Sequence, residues 1–553
     1  MHRLESFVYD ILQSPRKKKM VLLLTFLAFV VAVMMFPTKI VLAKMLPGKS
    51  TNTFSVYIDL PNGSSAFQTQ KLNQCVVEIL QKENDVLNIE VFSGMGSPLD
   101  YAGLVKGSGF KSGEHVSEIV VNLKDAHTRD ERSYTMVHRL RPFIQKTCEP
   151  LILGTSIKMV EQPAGPPTLS ALVIELYGED DEALYALSKE LKTILQQTPD
   201  LVDVDILNDD IYEKFSLSLD TQKAQRSGIA INELHQLLYL SFEGSSIAYK
   251  NSADSPAQIP IFVVLSDGTK TLQSLSLEAL HAKLSSVKMM SSSGMLVPLS
   301  ELVRIEKVKS TPTVMSKNLQ KMVTIVAEAD LVSQVYPLLE ARSRIKELLK
   351  ERFEIRSTHL FDLELKDKQS GAVFELVWDG EMKVTMDTFR DLGGAFVAAL
   401  VLIFLLMVVY YKSFSIAGII LLGSFLSIIG VIAGHFVMDV FSSGTFFLTA
   451  TSLIGFISLM GISSRNSLLL IDFSMTLMHE KGMEKKHSIA LASATRAKPI
   501  FLTAAAIILA STLLASDPIF GGLGVALIFG TIAAVIASLI VVPVLMDNAH
   551  DIH

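Results

Sequence analysis

Six long apolar stretches punctuate this 553-residue chain, one near its start and five crowded into its C-terminal third, at about 21–43, 393–411, 415–438, 446–476, 499–515 and 520–546. About 20 apolar residues rising 1.5 Å each suffice to cross the ~30 Å hydrocarbon layer of a bilayer, so the pattern predicts six crossings. The first is preceded by Arg16-Lys17-Lys18-Lys19 and lacks a small-residue cleavage site. It reads as an uncleaved anchor with residues 1–20 in the cytoplasm. Counting on from there puts Lys412, Lys481, Lys485, Lys486, Arg496 and Lys498 on the cytoplasmic side, with a tail at 547–553, while the connection 438–445, free of Lys and Arg, falls outside. Residues 482–497 (GMEKKHSIALASATRA) read as a short helix lying along the cytoplasmic face. Gly430 and Gly434 form a GxxxG pair in the third span, a device for close helix packing.

Between the first span and the other five, about 45–390, the rhythm changes to short alternating runs separated by helical periods. Thr53–Leu60 alternates as a strand, Ser65–Lys82 has helical spacing, Val86–Phe92 and Glu118–Leu123 are strand-like, Arg129–Thr147 is helical and Pro150–Val160 is a strand. That β-α-β-β-α-β order is the ferredoxin-like unit and spans 45–160. After the loop Glu161-Gln162-Pro163-Ala164-Gly165-Pro166-Pro167 a second unit starts with a strand at Ser170–Tyr177, a helix at Asp180–Thr198 and a strand at Leu201–Leu207. Its return half comes only later, with a strand near Lys321–Glu328, a helix at Ser333–Arg352 and a last strand near 353–360. The second unit therefore occupies 168–211 and 311–390, interrupted by an insertion at 212–310 that holds a helix at Ala230–Ser241, a hairpin-like stretch at Ser245–Val264 and the turn Ser266-Asp267-Gly268.

Composition fits a chain that is part membrane, part aqueous: 49% of residues are hydrophobic, 19% are charged, and mean hydropathy is +0.39. The net charge of -6 is spread out with no basic stripe, which argues against a nucleic-acid partner. Cys75 and Cys148 lack metal-ligand spacing; they form a disulfide if 45–390 is periplasmic, or two buried thiols. No GxSxG, HExxH or phosphate-loop motif occurs, and His115, His127, His138, His235 and His281 are scattered, so no enzyme and no resident metal or cofactor is expected. Met289-Met290 and the 22 methionines raise soft-metal transport as an alternative, though Met is also a common core filler.

The sharpest chemical signal is Arg465, near the middle of the apolar run that ends around Met478. A charge at that depth costs about 3 kcal/mol on insertion scales, so it normally faces a bundle interior and marks an ion or proton path; the plain alternative is a structural, snorkelling arginine. Asp472 follows two turns later, closer to water, where an interfacial carboxylate is the simpler role.

Read together, these segments resemble the resistance-nodulation-division (RND) transporters, specifically the C-terminal half of a full-length pump. Lys44-Met45-Leu46-Pro47 and Asp59-Leu60-Pro61-Asn62-Gly63 resemble the family's entry into its porter domain, and Gln162–Pro167 with Tyr177-Gly178 the start of the second porter subdomain. Trp378-Asp379-Gly380-Glu381, Gly434-His435, Thr449-Ala450-Thr451-Ser452, Gly461 through Ser467, Lys498–Thr503, Asp517–Phe520 and Val542-Pro543 match in order along the membrane region. The resemblance implies an α-helical bundle of six transmembrane helices (the five after the porter domain at 393–546) plus an α+β periplasmic domain of ferredoxin-like porter subdomains, with 212–310 as a docking insertion. It implies a proton relay of Arg465, Asn466 and Thr503, with Asp472 nearby. Arg465 stands where the family usually has Lys, and Arg holds its proton more stubbornly, so a relay that reorients the base fits better than one that deprotonates it. The paired membrane aspartates of the family's N-terminal half have no counterpart here, so a second half-transporter chain is expected to supply them. Three such pairs would form a trimer driven by the proton motive force in a bacterial inner membrane, working with a periplasmic adaptor and outer-membrane channel to expel hydrophobic or amphiphilic compounds. The alternatives are a half-size homo-oligomeric lipid or protein translocation factor, a heavy-metal exporter of the same family, or a non-transporting scaffold remnant.

Overall fold

The computed structural model describes residues 2–549 apart from 99, 163–164, 166–167, 256–257, 267–275, 331–332 and 443–445. Part of the turn expected at Ser266-Asp267-Gly268, parts of the loop 161–167 and of the connection 438–445, and most of the tail 547–553 lie outside the described residues. The chain divides into two compact units, one made of 1–207 with 314–553 and the other of 208–313.

Within the larger unit, the first sheet has the strand order Val86–Met95, Ser112–Leu123, Thr53–Asp59, Ser156–Glu161, all antiparallel. Two helices, Ala66–Leu80 and Ser133–Cys148, cover one face, and Phe54, Ile58, Leu72, Val121, Val137 and Ile157 are sealed between them. Ser65 starts the first helix with a reciprocal capping box to Gln68, which satisfies two backbone donors at once. Cys75 and Cys148 are joined in a disulfide that ties the two helices together across 73 residues of chain. Of the two alternatives open to these cysteines, the structure takes the bond.

The second sheet departs from the expected order. Its central strand Leu172–Tyr177 pairs with Gln320–Ala329 on one side, as a ferredoxin-like unit requires, but on the other side it pairs with Val373–Asp379. The strand Phe353–Ser357, expected to close the unit, sits at the far edge beyond Leu363–Asp367. Those two additional strands end in buried Phe374, Leu376 and Trp378 and feed straight into the next helix. The available signal for that strand was the period of two in Phe374, Leu376 and Trp378, the residues that the structure buries.

Five helices among the described residues are long and apolar enough to cross a membrane: Glu381–Tyr411, Phe414–Phe441, Ala450–His479, Lys485–Ala515 and Gly521–Asn548. The stretch 21–43 is not one helix. Helix Pro15–Met34 gives way at Met35 to a run of turns that includes Phe36-Pro37, and Lys39 takes a left-handed φ of 58°. Its uncharged part runs only from Met20 to Met34. The expected separation at 482–497 is also absent, because Lys485–Ala515 runs as one helix through Pro499. A proline inside a helix removes one backbone donor and bends the axis, which neighbouring helices can absorb. The N-terminal segment is itself structured: His2–Gln13 is an amphipathic helix that buries Val8, Ile11 and Leu12 against Ile489 and Ala490. The bundle is centred on Ala450–His479 and Gly521–Asn548, with Glu381–Tyr411 and Lys485–Ala515 at its periphery.

The smaller unit, 208–313, has its own core of Ala224, Leu234, Leu280, Leu284, Leu299 and Leu302, around a two-stranded pairing of Glu213–Leu219 with Val303–Lys309 and a hairpin of Ser245–Lys250 with Ile259–Val263.

Candidate functional site

Helix Ala450–His479, the arginine helix, carries Arg465, Asn466 and Asp472. Its buried face is lined by Phe456, Leu459, Met460, Ser463, Asn466, Ser467, Leu470 and Ile471. Ser467 Oγ lies 3.4 Å from Ser538 Oγ of the last helix. The opposite stripe, Ile454, Ser458, Gly461, Arg465, Leu469 and Asp472, is exposed at helical spacing. Arg465 therefore does not point into this bundle. Among the described residues it makes no hydrogen bond or ion pair, and Asp472 on the same stripe makes no ion pair either. One turn before Arg465, a Cβ added at Gly461 would meet nothing within 4 Å. Asn466 is buried on the other side, so it and Arg465 face different surroundings. Thr503 is exposed on the adjoining helix and spends its hydroxyl on the carbonyls of Pro499 and Ile500, at 3.1 and 3.0 Å. The structure thus brings Arg465, Asp472 and Thr503 to the outside of the bundle and leaves Asn466 within it.

Gly430 and Gly434 lie where the third span meets the helix Gly521–Ile536. A Cβ on Gly430 would stand 2.2 Å from the Phe529 carbonyl oxygen, and one on Gly434 would stand 2.5 Å from the Phe529 ring. Only hydrogen at these positions permits that approach.

A second polar group sits at the outer end of the arginine helix, built from residues 14 or more apart in the chain that only the fold joins: His435 with Thr449, Thr451 and Ser452. His435, fully buried, places Nε2 2.8 Å from Ser452 Oγ and Nδ1 2.8 Å from the Val431 carbonyl. Ser452 Oγ accepts from the Thr449 N–H at 3.0 Å, Thr449 Oγ1 lies 2.8 Å from Thr451 Oγ1, and Thr451 donates to the Ile519 carbonyl at 3.2 Å. Thr449 and Ser452 form a capping box, so one set of hydroxyls both starts the helix and satisfies the histidine.

The two α/β units meet through charge rather than apolar packing. Their hydrophobic cores are separate. Between them Lys158 of the first sheet bonds Asp205 of the second, and also Asp59 at 2.9 Å, while Lys192 reaches Asp205 at 2.9 Å. Arg141 engages Asp203 at 3.2 Å and Asp330 at 2.8 Å, His138 meets Asp330 at 2.6 Å, and Lys106 pairs with Glu328. Burial alone would raise the Asp59 carboxyl, but the ammonium groups of Lys158 and Lys111 outweigh it and hold it at about 2. The signal for this seam in the sequence was charge carried inside strands, at Lys158, Asp203 and Asp205; charges buried there are rarely left without partners.

Below the seam, toward the membrane helices, lie a polar cavity of about 150 Å³, lined by Lys44, Glu161, Gln334 and Glu381 among others, and two larger amphipathic ones. One of about 620 Å³ is lined by Phe361, Trp378, Met382, Met386, Lys383 and Arg390. The other, about 750 Å³, lies against Tyr134, Met438, Phe446, Phe447, Arg132 and Asp517.

A sequence model of the AcrB/AcrD/AcrF family matches residues 2–548. The swarming motility protein SwrC of Bacillus subtilis (strain 168) is 23% identical over 390 residues, which is 68% of this chain and 33% of that protein. The crystal structure of a heavy metal efflux pump superimposes with a TM-score of 0.71 at 17% identity, covering 98% of this chain and 52% of the pump. The chain thus spans about a third of one of these proteins and about half of the other.

Proposed function

The chain belongs to the AcrB/AcrD/AcrF family of RND permeases, and from that premise we propose that it is the C-terminal half of a proton-driven exporter that works with a complementary half on a second chain. The observation that carries this reading is Arg465: a guanidinium at mid-helix in an apolar span, on an exposed stripe beside the open Gly461, making no ion pair among the described residues. A buried, unpaired charge costs several kcal/mol, so the stripe calls for a neighbour that brings a carboxylate. The complementary half supplies paired membrane aspartates; their protonation weakens the attraction for Arg465, and Thr503, on the same outer surface, adds a hydrogen bond as the helix shifts. The arginine side chain reorients and stays charged.

Helix Pro15–Met34 acts as the sixth crossing. Leu23, Leu24, Phe26, Leu27 and Val31 are more than half exposed, as lipid-facing residues are, and the lysines at its start snorkel to the cytoplasmic surface. The α/β domain then lies in the periplasm of a bacterial inner membrane, in keeping with its disulfide, and the protein is a carrier with no resident cofactor. The unit 208–313 docks to a neighbouring protomer or exit duct in a trimer of such pairs, with an adaptor and outer-membrane channel beyond. The larger cavities, with aromatic and Met walls and a charged rim, support amphiphilic cargo. A metal exporter is the second reading, favoured by the fold of the heavy metal pump; among the described residues no three His, Cys, Asp or Glu side chains cluster as a metal site.

The test is association. Gentle extraction of the tagged chain from its native membrane is expected to bring down a stoichiometric partner bearing paired membrane aspartates. A purified chain that carries out proton-coupled transport as a homo-oligomer would overturn the proposal and point to a half-size translocation factor.

A further inference from the structure

The chain between helix Pro15–Met34 and the first strand does not run free. Its stretch 41–46 lies alongside 446–450, the entrance to the arginine helix, where Ala43 and Leu448 form a parallel bridge. Three backbone bonds hold this strap. Leu448 N–H donates to the Leu42 carbonyl at 2.8 Å, Lys44 N–H to the Leu448 carbonyl at 3.0 Å, and Ala450 N–H to the Met45 carbonyl at 3.1 Å. Val41 is sealed into one cluster with Leu448, Phe456 and Leu459. The pairing runs main chain to main chain, so it does not depend on side-chain rotamers.

The strap is held from its other side by the second α/β unit. Helix Val335–Leu349 buries Leu338, Ala341 and Ile345 in the core of that unit. Just before it stand Ser333 and Gln334, both fully buried. The Ser333 hydroxyl donates to the Ala43 carbonyl and accepts from Val335 N–H at 3.3 Å. Gln334 Nε2 donates to Thr385 Oγ1 at 3.0 Å, in the second turn of the span Glu381–Tyr411. The proton of Thr385 is committed to the Glu381 carbonyl at 2.7 Å, so Thr385 can only accept from Gln334.

Two neighbouring side chains thus hook one helix of the second unit onto two separate segments that enter the membrane region. Because both are buried, a polar group pulled from its partner there has no water to replace it, and the hooks resist slipping.

We propose that Ser333 is a positioning residue that carries displacement of the arginine-helix entrance, through the strap 42–46, to helix Val335–Leu349 and so to the second α/β unit. The path is contiguous: entrance, strap, Ser333, helix, each joined to the next by a hydrogen bond or by the chain itself. The span Glu381–Tyr411 already continues from strand Val373–Asp379 through a single residue, Gly380, and Gln334 braces that connection. The arginine helix has no such direct continuation into the second unit, and the strap supplies one. What the link transmits during transport rests on the function proposed above; the link itself does not.

The experiment is hydrogen–deuterium exchange of the purified full-length chain, in which the rate at an amide reports local opening and transport plays no part. His435→Ala, or Ser452→Ala in its place, loosens the hydroxyl network at the helix entrance. Exchange is expected to rise about fivefold, the effect of one lost hydrogen bond on an opening equilibrium, at 448–453, at 42–46 and within Val335–Leu349, with helix Ala66–Leu80 unchanged. In a Ser333→Ala background the response of Val335–Leu349 should disappear while that of 42–46 persists, and Ser333→Thr, which keeps the hydroxyl, should restore it. A serine that only stabilised its own helix would raise the baseline exchange of Val335–Leu349 but leave its response to His435→Ala in place. Ser333→Ala alone should also raise exchange at the Lys44 and Leu448 amides. A loosened entrance with an unmoved strap, a helix response that survives Ser333→Ala, or unchanged Lys44 and Leu448 amides in Ser333→Ala overturns the proposal.

Discussion

The arginine helix carries two polar groups through apolar surroundings, and they are finished to different degrees. At its outer end His435, Ser452, Thr449 and Thr451 satisfy one another and the Val431 and Ile519 carbonyls within the chain. At its middle Arg465 faces outward with no partner among the described residues. A closed network of neutral hydroxyls and imidazole adds rigidity where it stands. A lone guanidinium on an exposed stripe is energetically tolerable only if something else arrives to meet it. The chain fastens the outer end of this helix itself and leaves its middle to be completed.

The largest expected effect comes from the unfinished middle. Arg465→Ala should cut transport by about 100-fold or more, the rate consequence of losing roughly 3 kcal/mol of charge interaction, while leaving the chain's melting temperature almost unchanged. Proton-coupled flux in vesicles, measured beside thermal stability, checks both; a large loss of stability with intact flux would erase the distinction.

Gly430→Leu should act in the opposite way. Its side chain would be driven into the Phe529 carbonyl, and overpacking of this kind costs about 1–3 kcal/mol or more. Thermal unfolding in detergent should shift downward, with transport falling only as folded protein is lost.

His435→Ala probes the finished end directly. It leaves Ser452 short of one partner in a buried site, a loss of about 1–3 kcal/mol of stability, and it should affect transport less than Arg465→Ala. Chemical denaturation set against flux ranks the two; a His435→Ala protein as inactive as Arg465→Ala would show that the outer network also belongs to the relay.

The smallest effects are expected at Thr503→Ala and Asp472→Asn, about a few-fold in transport, because Thr503 already bonds its own helix and Asp472 is exposed toward the membrane surface. Flux assays on the two variants would sharpen the comparison by showing whether either joins Arg465 once a partner is bound.

Much of this was legible along the chain because it depends on local periodicity. Alternation over Thr53–Leu60 and helical spacing over Ser65–Lys82 mark a strand at Thr53–Asp59 and a helix at Ala66–Leu80, since strand and helix bury residues at periods of two and of 3.6. Apolar runs long enough for a bilayer are equally local, as is the oddity of Arg465 within one of them. Where local rules were broken by packing, reading failed: Pro499 did not end its helix, and the apolar run after Met34 did not stay helical. The place of Val373–Asp379 beside Leu172–Tyr177 was invisible for a different reason, because which strand becomes a neighbour is settled by the whole sheet.

What the sequence determined by itself is the alternation of apolar spans with two α/β units, and the identity of the polar residues carried into the membrane region. What only the tertiary structure decided is the direction each of those residues faces. Arg465 and Asn466 are adjacent in the chain, yet one turns outward and the other inward, because neighbouring residues on a helix are 100° apart and the packing of surrounding helices chooses which arc is covered. The same holds for the charged seam: Lys158 and Asp205 lie 47 residues apart, and only the docking of two sheets brings them within a hydrogen bond.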